Sequence, residues 1–365
     1  MNPLARLLAL LLVLALAGCT GGEPNPDPST PGSLTPDAEQ SPTEAPTTSP
    51  SPPPPPEPSP SPTVIGVDPA GEPNAPGVLR IVPAGTTVAT APGGSAAGRL
   101  RAGVVVPYSE VSNGWARITT PCELSRWMPL DSGERLARPT VVIDPGHGGD
   151  EVGAVGPGGL QEKELNLDVA NRAVAMLNAA GIPTLATRTS DYRASLPFRV
   201  EVADRSSADL MISIHHNADP DGPLPKPGSE TYYQIRSADS KRLAGLIYEE
   251  VVKSLSTLDV SWVGDTDAGA KYRLNSRGGD YYGILRRSAE SGVTTVLAEL
   301  AFVSNPAEEA VLRQDEIRRL EAEAIVRGVE RYLRSQDPGT GFTTPYPRTA
   351  PAGPGGGTRG CVDPA

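Results

Sequence analysis

The chain holds three histidines, His147, His215 and His216. Each follows an apolar run of strand character. Thr140-Val141-Val142-Ile143-Asp144 leads through Pro145-Gly146 to His147, and Asp209 to Ile214 leads directly to His215 and His216. In an open α/β sheet, ligands gather beyond the carboxyl ends of the strands, so two strands deliver imidazoles to one edge. Such a pair suits a catalytic zinc, which takes three protein donors and keeps one position open. The third donor falls in Glu162-Lys163-Glu164 at the start of the next helix, where Glu162 and Glu164 compete for the role. His215 and His216 are adjacent on extended backbone and point to opposite faces, so one is a ligand and the other a neighbour. The glycines of Asp144-Pro145-Gly146-His147-Gly148-Gly149 let the backbone turn sharply around a ligand. Asp144 is either an outer partner of a ligand imidazole or a cap on the Gly-rich turn.

The elements that must position these groups are legible in the spacing of apolar residues. From Thr140 onward strands alternate with amphipathic helices, the pattern of an α/β domain. Leu165, Val169, Ala173, Met176 and Leu177 recur at helical spacing and stop at Gly181. Pro183 to Thr187, Asp209 to Ile214, Thr231 to Ile235 and Thr294 to Leu300 read as buried strands, and Leu243, Leu246, Ile247, Val251 and Leu255 as a second helix. Asn305, Pro306 and Glu308 supply an N-cap, an N1 proline and a capping-box acid. Ile317, Leu320, Ala324, Val329 and Tyr332 continue the last helix. The fold class expected is therefore α/β, a mixed, mostly parallel sheet flanked by helices over residues 138–335.

The remainder of the 365 residues divides by composition. Of 41 prolines, 16 lie between residues 22 and 63, among Ser, Thr and Glu. Such a segment buries no core and extends toward polyproline geometry; at ~3.1 Å per residue it reaches on the order of 130 Å. Residues 20–76 are thus expected to form a disordered linker. Residues 77–137 carry short apolar runs broken by Gly, Pro and Asn, which point to a small all-β barrel or sandwich. Residues 336–365 turn rich in Gly, Pro and Thr and are expected to be a flexible tail. The net charge of -11 excludes a nucleic-acid-binding protein, since neutralising phosphates needs surplus Lys and Arg.

Residues 1–19 carry Arg6, an apolar run from Leu7 to Ala17, and Gly18-Cys19. The run is too short to span a bilayer, which needs about 20 residues, and reads as an export signal. Leu16-Ala17-Gly18-Cys19 resembles the lipobox of bacterial lipoproteins, which implies cleavage before Cys19, its lipidation, and anchoring to the outer face of the bacterial cell membrane. That compartment permits disulfides, and removing Cys19 leaves Cys122 and Cys361 as an expected pair.

Two further resemblances carry functional content. Ala91-Pro92-Gly93-Gly94, Gly98 to Gly103, Ser112-Asn113-Gly114-Trp115-Ala116-Arg117-Ile118 and Arg126-Trp127-Met128-Pro129-Leu130 resemble a bacterial SH3-like domain. Such modules accompany wall-active enzymes, so the resemblance implies a peptide-stem ligand or a spacer role. Val142 to Gly149, Glu162-Lys163 with Asn166-Leu167, Thr187-Arg188-Thr189-Ser190-Asp191 with Arg199, Ala208 to Ala218, and Leu297 to Pro306 resemble the zinc-dependent N-acetylmuramoyl-L-alanine amidases of the type called Amidase_3. The motifs come in the family's order from about Thr140 to Ser335.

By position, that resemblance implies one Zn²⁺ held by His147, Glu162 and His215, with Glu299 as catalytic acid. It favours His215 over His216 and Glu162 over Glu164. Two departures from the family pattern, Glu299-Leu300-Ala301-Phe302 in place of Glu-Thr-Gly-Phe and the absence of a Pro at Val293 to Thr295, touch the pocket wall and leave the acid in place. The reaction implied is hydrolysis of the amide joining N-acetylmuramic acid to L-alanine in peptidoglycan, for wall remodelling or daughter-cell separation. A non-catalytic wall-binding lipoprotein and a zinc peptidase cutting within the stem are the alternatives. Arg188, Asp191 and Arg199 read first as a salt-bridged loop, and Arg286 and Arg287 as a pair that meets an acidic stem or stays solvated. The Gly/Asp-rich stretch 256–285 leaves room for a regulatory protein to act on an insert there. A monomer is the expected state.

Overall fold

The computed structural model describes residues 75–218, 228–260, 269–343 and 356–364. The expected signal segment 1–19 with Cys19, and the expected linker as far as residue 74, lie outside the described residues. No helix among the described residues is long and apolar enough to cross a membrane.

Seven strands come first: β1 (Gly77–Ile81), β2 (Thr86–Ala89), β3 (Ala96–Leu100), β4 (Val105–Ser112), β5 (Trp115–Thr119), β6 (Ser125–Pro129) and β7 (Gly133–Arg135). They form one antiparallel sheet in the order β3-β2-β6-β5-β4-β1-β7. The β4–β5 hairpin turns at Asn113 (φ 50°) and Gly114 (φ 76°). Two successive left-handed residues are what a tight hairpin demands and what Asn-Gly supplies. Along β5, Ala116 and Ile118 are buried while Arg117 is exposed, the alternation of a sheet with one face on a core.

The second sheet uses β8 (Val141–Pro145), β9 (Thr184–Ala186), β10 (Leu210–Asn217), β11 (Glu230–Tyr233), β12 (Gly269–Lys271) and β13 (Thr294–Phe302), in the order β12-β11-β13-β10-β8-β9. β9, β8, β10 and β13 run parallel to one another in that order, and β12 runs parallel to β11. β11 runs against β13, so the sheet is mixed. The helices are α1 (Glu162–Ala179), α2 (Leu196–Arg205), α3 (Ala238–Leu255), α4 (Gly283–Glu290), α5 (Pro306–Leu312) and α6 (Asp315–Arg334).

Alternate residues of the central strands serve two cores. Val141, Ile143, Ile212, Ile214, Val296 and Ala298 join the apolar stripes of α1, α3 and α6 on one face. Val142, Met211 and Leu297 join Phe198 of α2 and Ile284 of α4 on the other. That second core continues into Val78, Leu79, Tyr108 and Met128 of the antiparallel sheet. The boundary expected at 137/138 therefore crosses a shared hydrophobic interior.

The flexible tail expected over 336–365 is corrected for its described residues. Ala270 donates to the Gly341 carbonyl at 2.8 Å and Thr343 donates to the Ala270 carbonyl at 3.1 Å, so residues 341–343 extend the exposed edge at β12. Phe342 meets Tyr233 edge-on, with ring centroids 6.4 Å apart. One aromatic ring and a sheet edge with free donors are enough to order a segment whose Gly and Thr content reads as loose. Farther on, Cys361 is joined to Cys122 by a disulfide, with Cα atoms 5.6 Å apart. Part of the 256–285 stretch is likewise structural, since it supplies β12; residues 261–268 lie outside the described residues.

Candidate metal centre

β8 and β10 are paired with Ile214 opposite Pro145, and β10 and β13 with His215 opposite Glu299. The parallel register thus brings the Gly-rich turn after β8, the end of β10 and the middle of β13 to one place. Glu162 enters from the first turn of α1, where an acid complements the helix dipole. Gly146 is needed for close approach: a Cβ there would sit 2.2 Å from Cε1 of His215.

Donor atoms of His147, Glu162 and His215 all lie within 4.8 Å of one another. Nε2 of His147 is 3.1 Å from Oε2 of Glu162, and Nδ1 of His215 is 2.9 Å from Oε1. Glu162 is 4% exposed and its oxygens also accept from the backbone N–H of Ala154 and His216 and from Asn166. Burial alone would raise the Glu162 carboxyl, but the His147 and His215 imidazoles outweigh it and hold the group well below the usual carboxylate range. Burial works against a charged ring at His147 too, yet Glu162 and Glu151 on its two nitrogens raise it to about 10. His215, more deeply buried, is lowered. Two imidazole nitrogens and one carboxylate oxygen are a donor set that zinc takes in hydrolytic sites, and the anionic Glu162 supplies charge for a divalent ion. The residues present fit the metal.

The competing readings separate cleanly. Glu164 is exposed, away from the imidazoles. His216 is buried on the opposite face, where Nδ1 lies 2.8 Å from Oδ1 of Asn166 and Nε2 lies 3.3 Å from both oxygens of Glu321. Asp144 accepts from Thr187, Ser213 and Arg199, so its carboxylate holds the strand ends rather than an imidazole.

Arg188 and Arg199, first read as loop residues, clamp the turn that carries His147. Arg188 donates to the carbonyls of Pro145 and Gly146, both at 3.0 Å. Arg199 reaches the Pro145 carbonyl at 2.6 Å and that of His147 at 2.7 Å, with Asp144 at 2.7 Å neutralising it. The backbone of His147 lies at φ 60°, a region that non-glycine residues seldom adopt without such restraint. Asp191 accepts from the Gly149 N–H and from Lys163, bracing the same turn.

Glu299 is 9% exposed and its strand neighbour on the far side is Glu230. Glu230 is buried with Lys271, whose Nζ is 2.6 Å from Oε1, while Asn217 and Tyr232 donate to Oε2. Burial, with Glu299 and Glu230 nearby, pushes the Tyr282 phenol upward. The wall behind Glu299 is thus a paired polar network, of which only Asn217 lay inside a motif. Arg286 is elsewhere: it donates to the carbonyls of Asp280 and Tyr281 and lines a cavity of about 540 Å³ with Thr294, at the opposite end of β13 from Phe302.

One further acid completes the centre. Glu151, four residues after His147, has Oε1 3.2 Å from Nδ1 of that ring. A ligand histidine commonly hands its other N–H to a carboxylate, and the position beside Asp150 in the Gly-rich loop was the available sign of it.

Residues 141–331 match the N-acetylmuramoyl-L-alanine amidase family. The chain is 35% identical over 221 residues to the uncharacterized protein YqiI of Bacillus subtilis, covering 60% of this chain and 93% of YqiI. It is 39% identical over 197 residues to the N-acetylmuramoyl-L-alanine amidase LytC of the same organism, covering 53% of this chain and 36% of LytC. Among solved structures, the N-acetylmuramoyl-L-alanine amidase of Clostridium difficile 630 is 33% identical with a TM-score of 0.47, covering 54% of this chain and 97% of that one. With a family match over 141–331 and YqiI matched along 93% of its length, the chain belongs to the N-acetylmuramoyl-L-alanine amidase family.

Proposed function

We propose that the protein is a zinc-dependent hydrolase of the amide between N-acetylmuramic acid and L-alanine in peptidoglycan. The observation that supports this most is the convergence of His147, Glu162 and His215 within 4.8 Å beside Glu299, in a chain of the amidase family. His147, Glu162 and His215 would hold a zinc ion, which would supply Lewis acidity to polarise an amide carbonyl and acidify an attacking water near pH 7. Glu299 takes the proton from that water and returns it to the departing amine of L-alanine. Burial of Glu299 keeps bulk water from competing for that proton. Glu162 stays anionic, Asn166 fixes its carboxylate, and the Arg188–Arg199 clamp holds His147 in place.

The proposal extends to location. Leu16 to Cys19 mark an exported lipoprotein anchored at the outer face of the cell membrane, and the Pro-rich linker gives the folded part reach into the wall. The antiparallel sheet over 77–137 is read as an SH3-like module. Peptidoglycan is the substrate, and wall remodelling or cell separation is the role.

Purified protein, with zinc or with chelator, is incubated with peptidoglycan and the products are identified by mass spectrometry. Free stem peptides beginning at L-alanine and intact glycan strands are expected, and only without chelator. Cuts inside the stem would instead make the protein a peptidase. Binding with no zinc-dependent product would make it a wall-binding lipoprotein.

A further inference from the structure

Residues 356–364 lie against the Gly-rich loop. Gly356 donates its backbone N–H to Oε1 of Glu151 at 3.0 Å, the same oxygen that lies 3.2 Å from Nδ1 of His147. The Gly356 carbonyl accepts from the N–H of Leu196 at 3.1 Å. Arg193 donates to the Gly357 carbonyl at 2.7 Å and to Asp150 at 2.8 Å, and its Nε lies 3.5 Å from Oε2 of Glu151. Beyond these contacts Asp363 accepts from the Cys122 N–H at 3.0 Å, and the Cys122–Cys361 disulfide fastens the segment to the antiparallel sheet.

Gly356 is fitted to its place. Its φ is +83°, and a Cβ would fall 2.5 Å from Cγ of Leu196. A segment with a glycine-only contact, a disulfide and a half-buried arginine at its anchors is not a frayed end. Among the described residues it meets the metal centre through Glu151, whose Oε1 takes the Gly356 N–H and whose Oε2 lies near Arg193.

We propose that residues 356–364 form a strap that belongs to the metal centre, fixing Glu151 as the positioning residue for His147. With Glu151 held, Nδ1 of His147 keeps its proton toward the carboxylate and Nε2 faces Glu162 and the metal. Released, the Glu151 side chain regains its rotamers, and the His147 ring loses the partner that sets its tautomer and tilt. This inference rests on the reading of His147 as a zinc ligand.

Zinc affinity, measured by competition with a chromophoric chelator, tests it without reference to turnover. Losing an outer-sphere partner of a ligand histidine costs about 10–100-fold in metal affinity, so Glu151→Ala is expected to fall in that range. Gly356→Ala, which crowds Leu196, and Cys361→Ser, which releases the anchor, are expected to weaken zinc in the same direction. In a Glu151→Ala background, each should then add no further loss beyond about twofold, the scatter expected of truly additive changes. Far-UV circular dichroism of the zinc-free variants checks that they fold. Should Gly356→Ala fail to fold, Cys361→Ser completes the same cycle. Unchanged zinc affinity in folded Gly356→Ala and Cys361→Ser would overturn the strap while leaving the metal centre intact. Equal losses with and without Glu151 would also overturn it, because the strap would then act on general stability. A wild-type chain that binds no zinc would overturn the metal reading itself, and the strap with it.

Discussion

At the scale of single residues, the chemistry depends on acids placed where burial alone would forbid them. Glu162 is kept anionic by two imidazoles. Glu308 is the contrary case: burial pushes its carboxyl from the ordinary 4.5 up to about 8, with the Phe302 N–H opposing and Glu321 reinforcing. The folded state therefore holds a proton that the unfolded state releases above its own pKa. Stability from this group is complete below about pH 4.5 and is lost as the pH rises to about 8. Glu308→Gln should flatten that slope in the zinc-free protein and raise stability at neutral pH; a variant that keeps the slope in denaturant titrations at pH 5 to 8 would place its origin elsewhere. Glu321 and His216 are both fully buried, so Glu321→Leu leaves an imidazole without its acid. A loss of about 1–3 kcal/mol is expected from leaving that buried ring nitrogen without its partner, measured as a lower denaturant midpoint; a change below ~0.5 kcal/mol would contradict it. His147 and the His215-His216 pair are legible because imidazoles at strand ends are rare; Glu299 and the choice of His215 over His216 come only with the family resemblance. Glu321 is not legible, because an acid on a helix reads as solvated until a partner element covers it.

At the scale of elements, the parallel register of β8, β10 and β13 does the gathering, and the loop after β8 does the fine placement. Its strained residue is His147 itself, and Arg199 restrains it by four donor contacts, to Asp144, Pro145, His147 and Ala194. A lysine cannot reproduce that planar fork. Arg199→Lys is therefore expected to weaken zinc by about tenfold, within the range for outer-sphere losses; chelator competition giving wild-type affinity would remove Arg199 from the restraint. Helices α1, α3 and α6 were legible from their apolar stripes, and β8, β10 and β13 from their uninterrupted apolar runs. The clamp is hard to read from sequence because an isolated arginine looks solvent-bound when its partners, the Gly146 carbonyl and the Asp144 carboxylate, lie 42 and 55 residues away in the chain. The three-residue strand β12 was missed for a similar reason: its pairing partner β11, not its composition, makes it a strand.

At the scale of the whole folded part, the antiparallel sheet and the α/β layers share one hydrophobic cluster, and residues at both ends of the strap tie them further. The two should unfold together. Calorimetry of the whole chain is expected to show a single transition, lowered on reduction of Cys122–Cys361 by the equivalent of about 2–4 kcal/mol; two well-separated transitions would contradict the shared core. Composition sets the Pro-rich segment 22–63 apart from the residues that follow it. It could not reveal the contacts of residues 341–343 and 356–364, since these come from a distant sheet edge and a disulfide. The central claim is that three side chains hold zinc while Glu299 moves the proton. Metal content and release of L-alanine-terminated stem peptides, measured on the same preparations of wild type and Glu299→Gln, test it most directly. One zinc per chain in both proteins, with peptide release only from the wild type, is the predicted result. Turnover retained by Glu299→Gln at its full zinc content would contradict the account.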